Sequence, residues 1–300
     1  MYSVLIPNFN NIRIRSLLRQ IFILAEHENV AYEIILLDDG SHINELNSLY
    51  KEIGAYPNIH CFRLPENKGR TYTRNYLAKI AKYQWLLFLD SDVIPSNDSF
   101  LTEYVQAMQK EDSDVLFGGV EYKFILPNPT NENLHWLYGL KREAKDVFVR
   151  KKFPYQTVIS TCFAIKKDVF MSIDMPNQNR YGMDYYFANQ LKKMKLRVTH
   201  INSRVQIMSF NTTDDFLHKR KLSIETLHHL FEEKLISADA TPLLKANQKL
   251  EKWRIKRIFH RFIGLFENSI LKNLKSDKPN LFLFDLYRLN LFIRLTNASN

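Results

Sequence analysis

The chain of 300 residues carries a net charge of +10, with 45% hydrophobic residues, 25% charged residues and eight glycines, the balance of a globular protein able to bury a sizeable core. That composition excludes collagen-like and low-complexity architectures. The two cysteines, Cys61 and Cys162, lie far apart with no His or Cys at ligand spacing, which argues against a disulfide framework or a zinc site and fits a reducing cytosol.

The first ninety residues alternate short apolar runs with longer segments whose apolar positions recur three or four apart. Runs at 2–6, 32–37, 59–62 and 85–89 predict strands, and the segments 12–28, 43–53 and 71–82 predict amphipathic helices. A βαβαβαβ order predicts a mainly parallel sheet with helices on its faces, and ligands gather beyond the carboxyl ends of such strands. From residue 96 the alternation loosens into a helix at 100–109, a strand at 115–123 and a Pro/Asn-rich loop at 127–133. A helix at 134–145, a strand at 157–165, a helix at 185–194 and a strand at 197–201 follow. From residue 215 the pattern is all helical, in three or four segments broken at Pro242 and Pro279.

The opening residues lack the basic and apolar regions of a signal peptide. The most apolar late stretch, 281–295, carries Asp285, Arg288 and Arg294, too polar for a helix crossing roughly 30 Å of hydrocarbon. Residues 215–300 hold 16 Lys and Arg against 9 Asp and Glu, so most of the net charge sits in the tail. Such charge is compatible with nucleic acid or with an anionic membrane face. No nucleic-acid-binding motif accompanies it, so the membrane is the preferred partner and nucleic acid is not expected. Trp253, Ile258, Phe259, Phe262, Phe266 and Ile270 recur at helical spacing among Lys252, Lys256, Arg257 and Arg261, a pattern open to core packing or to an interfacial anchor over residues 245–275.

Two predicted strands end in paired carboxylates, Asp38-Asp39-Gly40-Ser41 and Asp90-Ser91-Asp92, and the strand order puts both on one rim. Buried charge is costly, so acids at strand ends are solvated or paired with a cation or donor. In Asp90-Ser91-Asp92 an extended backbone projects both carboxylates to one side, where they can hold a hard divalent ion such as Mg2+ or Mn2+. Such a metal bridges diphosphate oxygens.

These segments, with Pro7-Asn8-Phe9-Asn10 at the end of the first strand and Asn67-Lys68-Gly69-Arg70-Thr71-Tyr72-Thr73-Arg74-Asn75 between them, occur in order over roughly residues 1–230. The chain thereby resembles family 2 glycosyltransferases. The resemblance implies a GT-A fold, an α/β architecture with a Rossmann-like, mainly parallel central sheet flanked by helices, here with a C-terminal helical extension. It implies a catalytic domain at 1–214, with a nucleotide-sugar half at 1–95 and an acceptor half at 96–214, and an extension at 215–300. It also implies an inverting enzyme that moves a sugar from a nucleotide-sugar donor, a UDP-sugar in first place, onto a hydroxyl of a glycan or lipid-linked glycan. Such a protein is expected in the cytoplasm, with the inner face of the plasma membrane as the surface its tail would meet.

By that resemblance Pro7 and Asp39 border the nucleobase with Asp38 close by, a carboxylate being suited to accept the imide N–H of uracil. Arg74 lies beside the diphosphate, Gly69 lets the backbone turn tightly, and Asn8, Asn10, Asn67 and Ser91 count among the donor-binding residues, with Asp90 and Asp92 as metal ligands. Asp184, in Tyr181-Gly182-Met183-Asp184, matches the catalytic base, and capping of the following helix is its structural alternative. The chain departs from the family pattern twice. Met183 stands where a Glu usually precedes the base, and no His occurs near Ile207, where a late metal-binding His often falls. A catalytically degenerate nucleotide-binding member of a polysaccharide assembly complex and a nucleotidyltransferase are the alternatives. The latter is disfavoured because Pro7-Asn8-Phe9-Asn10-Asn11 lacks the glycine-rich basic loop usual after the first strand of such enzymes, and a nicotinamide enzyme is disfavoured more strongly because Gly-x-Gly-x-x-Gly is absent.

Overall fold

A computed structural model describes residues 1–110, 112–123, 131–176 and 180–298. Most of the loop expected at 127–133 lies outside the described residues. The strands are β1 (Tyr2–Asn8), β2 (Tyr32–Asp38), β3 (Ile59–Arg63), β4 (Trp85–Leu89), β5 (Val93–Pro95), β6 (Val115–Phe117), β7 (Val120–Glu121), β8 (Cys162–Lys166), β9 (Val198–His200) and β10 (Val205–Ile207). The helices are α1 (Ile14–Glu26), α2 (Glu45–Ile53), α3 (Arg70–Ile80), α4 (Phe100–Gln109), α5 (Asn133–Tyr138), α6 (Val147–Lys152), α7 (Lys167–Ser172), α8 (Asp184–Lys193), α9 (Thr213–Glu232), α10 (Pro242–Lys252), α11 (Lys256–Leu265), α12 (Glu267–Leu274) and α13 (Leu281–Ala298).

The chain divides into two compact units. One comprises residues 1–122, 143–179 and 193–209; the other comprises 123–142, 180–192 and 210–300. Compactness therefore divides the chain differently from a boundary at residue 214, because two inner segments join the helical tail.

In the first unit a seven-stranded sheet runs in the order β3-β2-β1-β4-β8-β6-β9. β1 pairs in parallel with β2 and β4, and β2 with β3, whereas β8 is antiparallel to both β4 and β6. The expected mainly parallel α/β sheet is thus present, with one reversed strand. Val4, Leu5, Ile6, Ile34, Leu36, Leu37 and residues 86–89 are almost fully buried, as continuous apolar runs covered on both faces should be. Each such side chain contributes roughly 1.5–3 kcal/mol on leaving water.

The expected strand at 115–123 is two strands in different sheets. Gly118 and Gly119 turn the chain between them, Gly119 at φ +113°, and β7 enters a small second sheet in the order β5-β10-β7. The expected strand at 157–165 begins only at Cys162, and the expected helix at 134–145 is α5 followed by one π turn, Gly139–Glu143.

The second unit is helical. Thr212 caps α9 by accepting from Asp215 N at 3.2 Å, and Thr241 caps α10 by accepting from Leu244 N at 3.1 Å, with Pro242 in the first turn. Among the described residues five helices follow residue 212 rather than three or four. Arg254, at φ +59°, separates α10 from α11, so the apolar periodicity over 245–275 belongs to three helices and not to one. Leu134, Phe216, Leu217, Ile263, Ile270, Leu274 and Phe284 form the core of this unit.

In the first unit the Arg150 guanidinium is buried and donates to the carbonyls of Phe117, Ile201 and Lys145. His200 stacks on Phe117, with Nδ1 3.2 Å from Arg150 and Nε2 3.0 Å from the Pro154 carbonyl. Burial pushes the His200 imidazole down to about 4, aided by the Arg150 and Lys151 charges and opposed by the Pro154 bond. Between that value and about 6.5 the unfolded chain binds the extra proton, so stability rises with pH across this window. Lowering the pH from 6.5 to 4 should cost up to about 3 kcal/mol through this group. Urea denaturation across the window should show a flatter profile for His200→Gln, and an unchanged profile would remove His200 as the cause.

Candidate functional site

Because β1, β2 and β4 are adjacent and parallel, their carboxyl ends lie on one edge, and Asn8 is paired in register with Asp38. The chain leaves β2 through a tight turn. Asp38 is fully buried; its Oδ1 accepts from Ser41 N at 3.1 Å and from the Ser41 hydroxyl, and Arg63 Nε lies 3.3 Å from Oδ2. Asp38 therefore braces its own turn. Asp39, also buried, accepts from Lys68 N at 2.7 Å through Oδ1 and from Gly69 N at 2.9 Å through Oδ2. Charge-assisted bonds of this kind are about twice as strong as neutral ones. They fix the loop before α3 to the end of β2.

The loop after β1 is tied to the same turn. Asn10, at φ +53°, donates its N–H to Ser41 Oγ at 2.7 Å and accepts from His42 N at 3.0 Å through Oδ1. Asn8 Nδ2 donates to the Tyr50 hydroxyl at 2.9 Å, and Asp39 N donates to the Asn8 carbonyl at 2.8 Å. Pro7, the penultimate residue of β1, is half-buried, and Asn67 is exposed in the loop held by Asp39.

Asp90, just past β4, is held by two cations on one face of α3. Arg70 Nη2 lies 2.7 and 2.5 Å from its two oxygens, and Arg74 Nη2 lies 2.9 Å from Oδ1. Arg74 is itself seated by a bond to the Ser160 carbonyl and by the rings of Phe88 and Phe163, 5.9 and 5.6 Å from its guanidinium carbon. Asn11 Nδ2 reaches the Ser91 carbonyl at 2.7 Å.

Asp92 is reached from β10: Met208 N donates to its carbonyl at 3.1 Å, and Ser209 Oγ donates to Oδ2 at 3.0 Å. Although Asp92 has solvent access as a residue, protein crowds its carboxyl. That desolvation, with repulsion from Asp90, raises its pKa against the opposing effects of Ser209 and Arg70. Among the described residues no group of three or more His, Cys, Asp or Glu side chains is arranged to hold a metal. The oxygen pair Asp90 and Asp92 nonetheless matches the donor chemistry of a hard divalent cation, whose charge would relieve the repulsion between them. Ile207 lies in β10, and the hydroxyl of Ser209 is what that segment brings to Asp92.

Asp184 belongs to the second unit. It is exposed and is the first residue of α8. Met183 is buried, so the residue standing in the usual Glu position has a packing role.

Arg70, Asn11 and Ser209 have no role assigned from the sequence. Arg70 had a signal, since it lies four residues before Arg74 and so shares its helix face. Ser209 had none, because its approach to Asp92 depends on the pairing of two three-residue strands.

Residues 3–174, more than half of the chain, match the family model described as Glycosyl transferase family 2. The chain belongs to this family. Among curated relatives it is 25% identical over 228 residues to a cholesterol galactosyltransferase of Borreliella burgdorferi, covering 71% of this chain and 63% of that protein. It is 30% identical over 117 residues to the uncharacterized glycosyltransferase YfnE of Bacillus subtilis, covering 39% of this chain and 29% of that protein. The chain thus spans less than two thirds of the length of either. The crystal structure of S. aureus TarS superimposes with a TM-score of 0.52 at 19% identity, over 77% of this chain and 43% of that one. This likeness concerns the fold, and it agrees with the expected GT-A architecture.

In this family 2 member Gly40, at φ +71°, lets the β2 turn lie against the loop that Asp39 holds. A Cβ there would fall 2.5 Å from the Glu66 carbonyl carbon and 2.7 Å from Asn67 N, both backbone atoms. Gly40→Ala should therefore lower stability by about 2–3 kcal/mol, the cost of a left-handed non-glycine residue with added crowding. A denaturation midpoint equal to that of the parent would show that the turn relaxes without cost.

Proposed function

We propose that the protein is an inverting glycosyltransferase that moves a sugar from a UDP-sugar onto a hydroxyl of a glycan or lipid-linked glycan. The observation that carries this reading is the gathering of Asp39, Asp90 and Asp92 at the carboxyl ends of adjacent parallel strands, with the Arg70 and Arg74 guanidinium groups paired to Asp90. In this reading the donor functions fall to residues 1–95, the acceptor functions to 96–214, and residues 215–300 are the extension. No helix among the described residues is long and apolar enough to cross a membrane. A lipid-linked acceptor at the inner face of the plasma membrane would be met by a peripheral contact.

Pro7, Asn8, Asn10, Asp38 and Asp39 shape the nucleobase end. Asp39 is the carboxylate nearest in kind to a partner for the uracil imide, while Asp38 supports the turn. Asn67 and Gly69 lie in the loop that approaches the diphosphate, and Arg74 offers it paired charge-assisted bonds. Arg70, more exposed than Arg74 and paired with the same Asp90, adds a second guanidinium to this end of the site. Asp90 and Asp92, with Ser91 between them, would hold Mg2+ or Mn2+, which when bound supplies positive charge to the diphosphate oxygens. Asp184 takes the proton of the acceptor hydroxyl; the hydroxyl oxygen bonds to the anomeric carbon, and the nucleoside diphosphate departs from the opposite face with inversion.

Two variants test the assignment. Asp92→Ala should abolish Mn2+-dependent UDP binding in calorimetry, because Asp90 is held by two arginines and one carboxylate cannot replace the pair; unchanged affinity would exclude Asp92 as a ligand. Asp184→Asn keeps the size of the side chain while removing a favourable charge at the first turn of α8, so stability should fall by less than about 1 kcal/mol and donor binding should survive. Transfer should drop by roughly 10²-fold to 10⁴-fold, since an amide cannot take the proton. Near-normal turnover would remove Asp184 from the mechanism.

A further inference from the structure

The second unit carries a surface that its own packing leaves unused. α11 turns Ile263 into the core of that unit and lays Phe259 against it, while His260 Nδ1 lies 2.8 Å from Asn290 Oδ1 of α13. One face of the helix is therefore anchored. A second face is equally apolar: Ile258, Phe262 and Leu265, spaced four and then three residues apart, are 67%, 58% and 82% exposed. Trp253, just past α10, is 63% exposed, and the exposed Phe266 ring lies 5.1 Å from that of Phe262. Single exposed apolar residues are ordinary, whereas a stripe of them at helical spacing marks an interaction site.

The charge around the stripe identifies what it meets. Between Lys245 and Phe266 the chain holds seven Lys or Arg against one acid, Glu251. Arg257 and Arg261, four residues apart beside the stripe, are exposed, as are Lys252 and Arg254 before it. A nucleic acid would satisfy the cations but offers no apolar volume for Ile258, Phe262 and Leu265. An anionic lipid surface offers both: acyl chains for the aliphatic and aromatic side chains, and headgroup phosphates for the guanidinium groups, with Trp and Phe at the boundary.

We infer that the α11 face bearing Ile258, Phe262 and Leu265, with Trp253 and the flanking arginines, is a docking surface for an anionic lipid bilayer. The helix lies in the membrane plane, held from behind by Phe259 and Ile263. The inference concerns a surface of the second unit and does not rest on the donor chemistry proposed above, so failure of either leaves the other standing.

The test is co-sedimentation of the full chain with vesicles of phosphatidylcholine, with and without phosphatidylglycerol. The chain should pellet with the anionic vesicles at low salt and be released as salt screens the arginines. Arg257→Gln with Arg261→Gln should weaken binding by about 5-fold per charge removed. Phe262→Ser with Leu265→Ser should abolish it. Both double variants alter exposed positions, and melting temperatures close to that of the parent verify that each is folded. No binding at low salt, equal binding to neutral vesicles, or undiminished binding by both variants would overturn the inference. So would self-association through this face in place of vesicle binding.

Discussion

Asp39 is the point on which this edge of the sheet depends. Its buried carboxylate spends both oxygens on the N–H groups of Lys68 and Gly69, and its own N–H closes onto the Asn8 carbonyl. One residue thus joins the loops after β1 and β2 to the loop that begins α3. A buried carboxylate without such donors would be costly, and here the cost is offset by backbone groups that a helix start leaves unsatisfied. Gly40 permits the approach, and the position of α3, with Arg70 and Arg74 on it, follows from the anchorage of its first turn.

The second constraint is electrostatic. Asp90 and Asp92 sit two residues apart at the end of a buried strand, and their repulsion is answered asymmetrically. Asp90 is paired with two guanidinium groups, one of them packed against the rings of Phe88 and Phe163, whereas Asp92 accepts from the Ser209 hydroxyl and retains a raised pKa despite the nearby Arg70 charge. Positive charge thus reaches Asp90 more fully than Asp92, and a cation beside Asp92 would lower the repulsion between the two carboxylates.

Much of this was legible in the sequence, for physical reasons. Strands β1, β2 and β4 are buried on both faces and read as continuous apolar runs, and the intervening helices bury one stripe each. Their order alone placed the two carboxylate pairs on one edge. The small sheet escaped notice because two- and three-residue strands have no period to detect. The break at Gly118-Gly119 looked like strand continuation because the flanking residues are apolar on both sides. In the tail, apolar spacing carried across the left-handed residue Arg254 as if the helix were unbroken, so the pattern identified the residues but not the segmentation. Ser209 acquired meaning only through a strand pairing distant in sequence, whereas Arg70 was marked by its spacing from Arg74.

The central claim is that this edge binds a nucleoside diphosphate together with a divalent cation. A thermal-shift panel of the intact chain against the common nucleoside diphosphates, each with and without Mn2+, tests it most directly. The account predicts a selective rise in melting temperature with uridine diphosphate that depends on Mn2+. No response to any nucleoside diphosphate, with or without the metal, would contradict it.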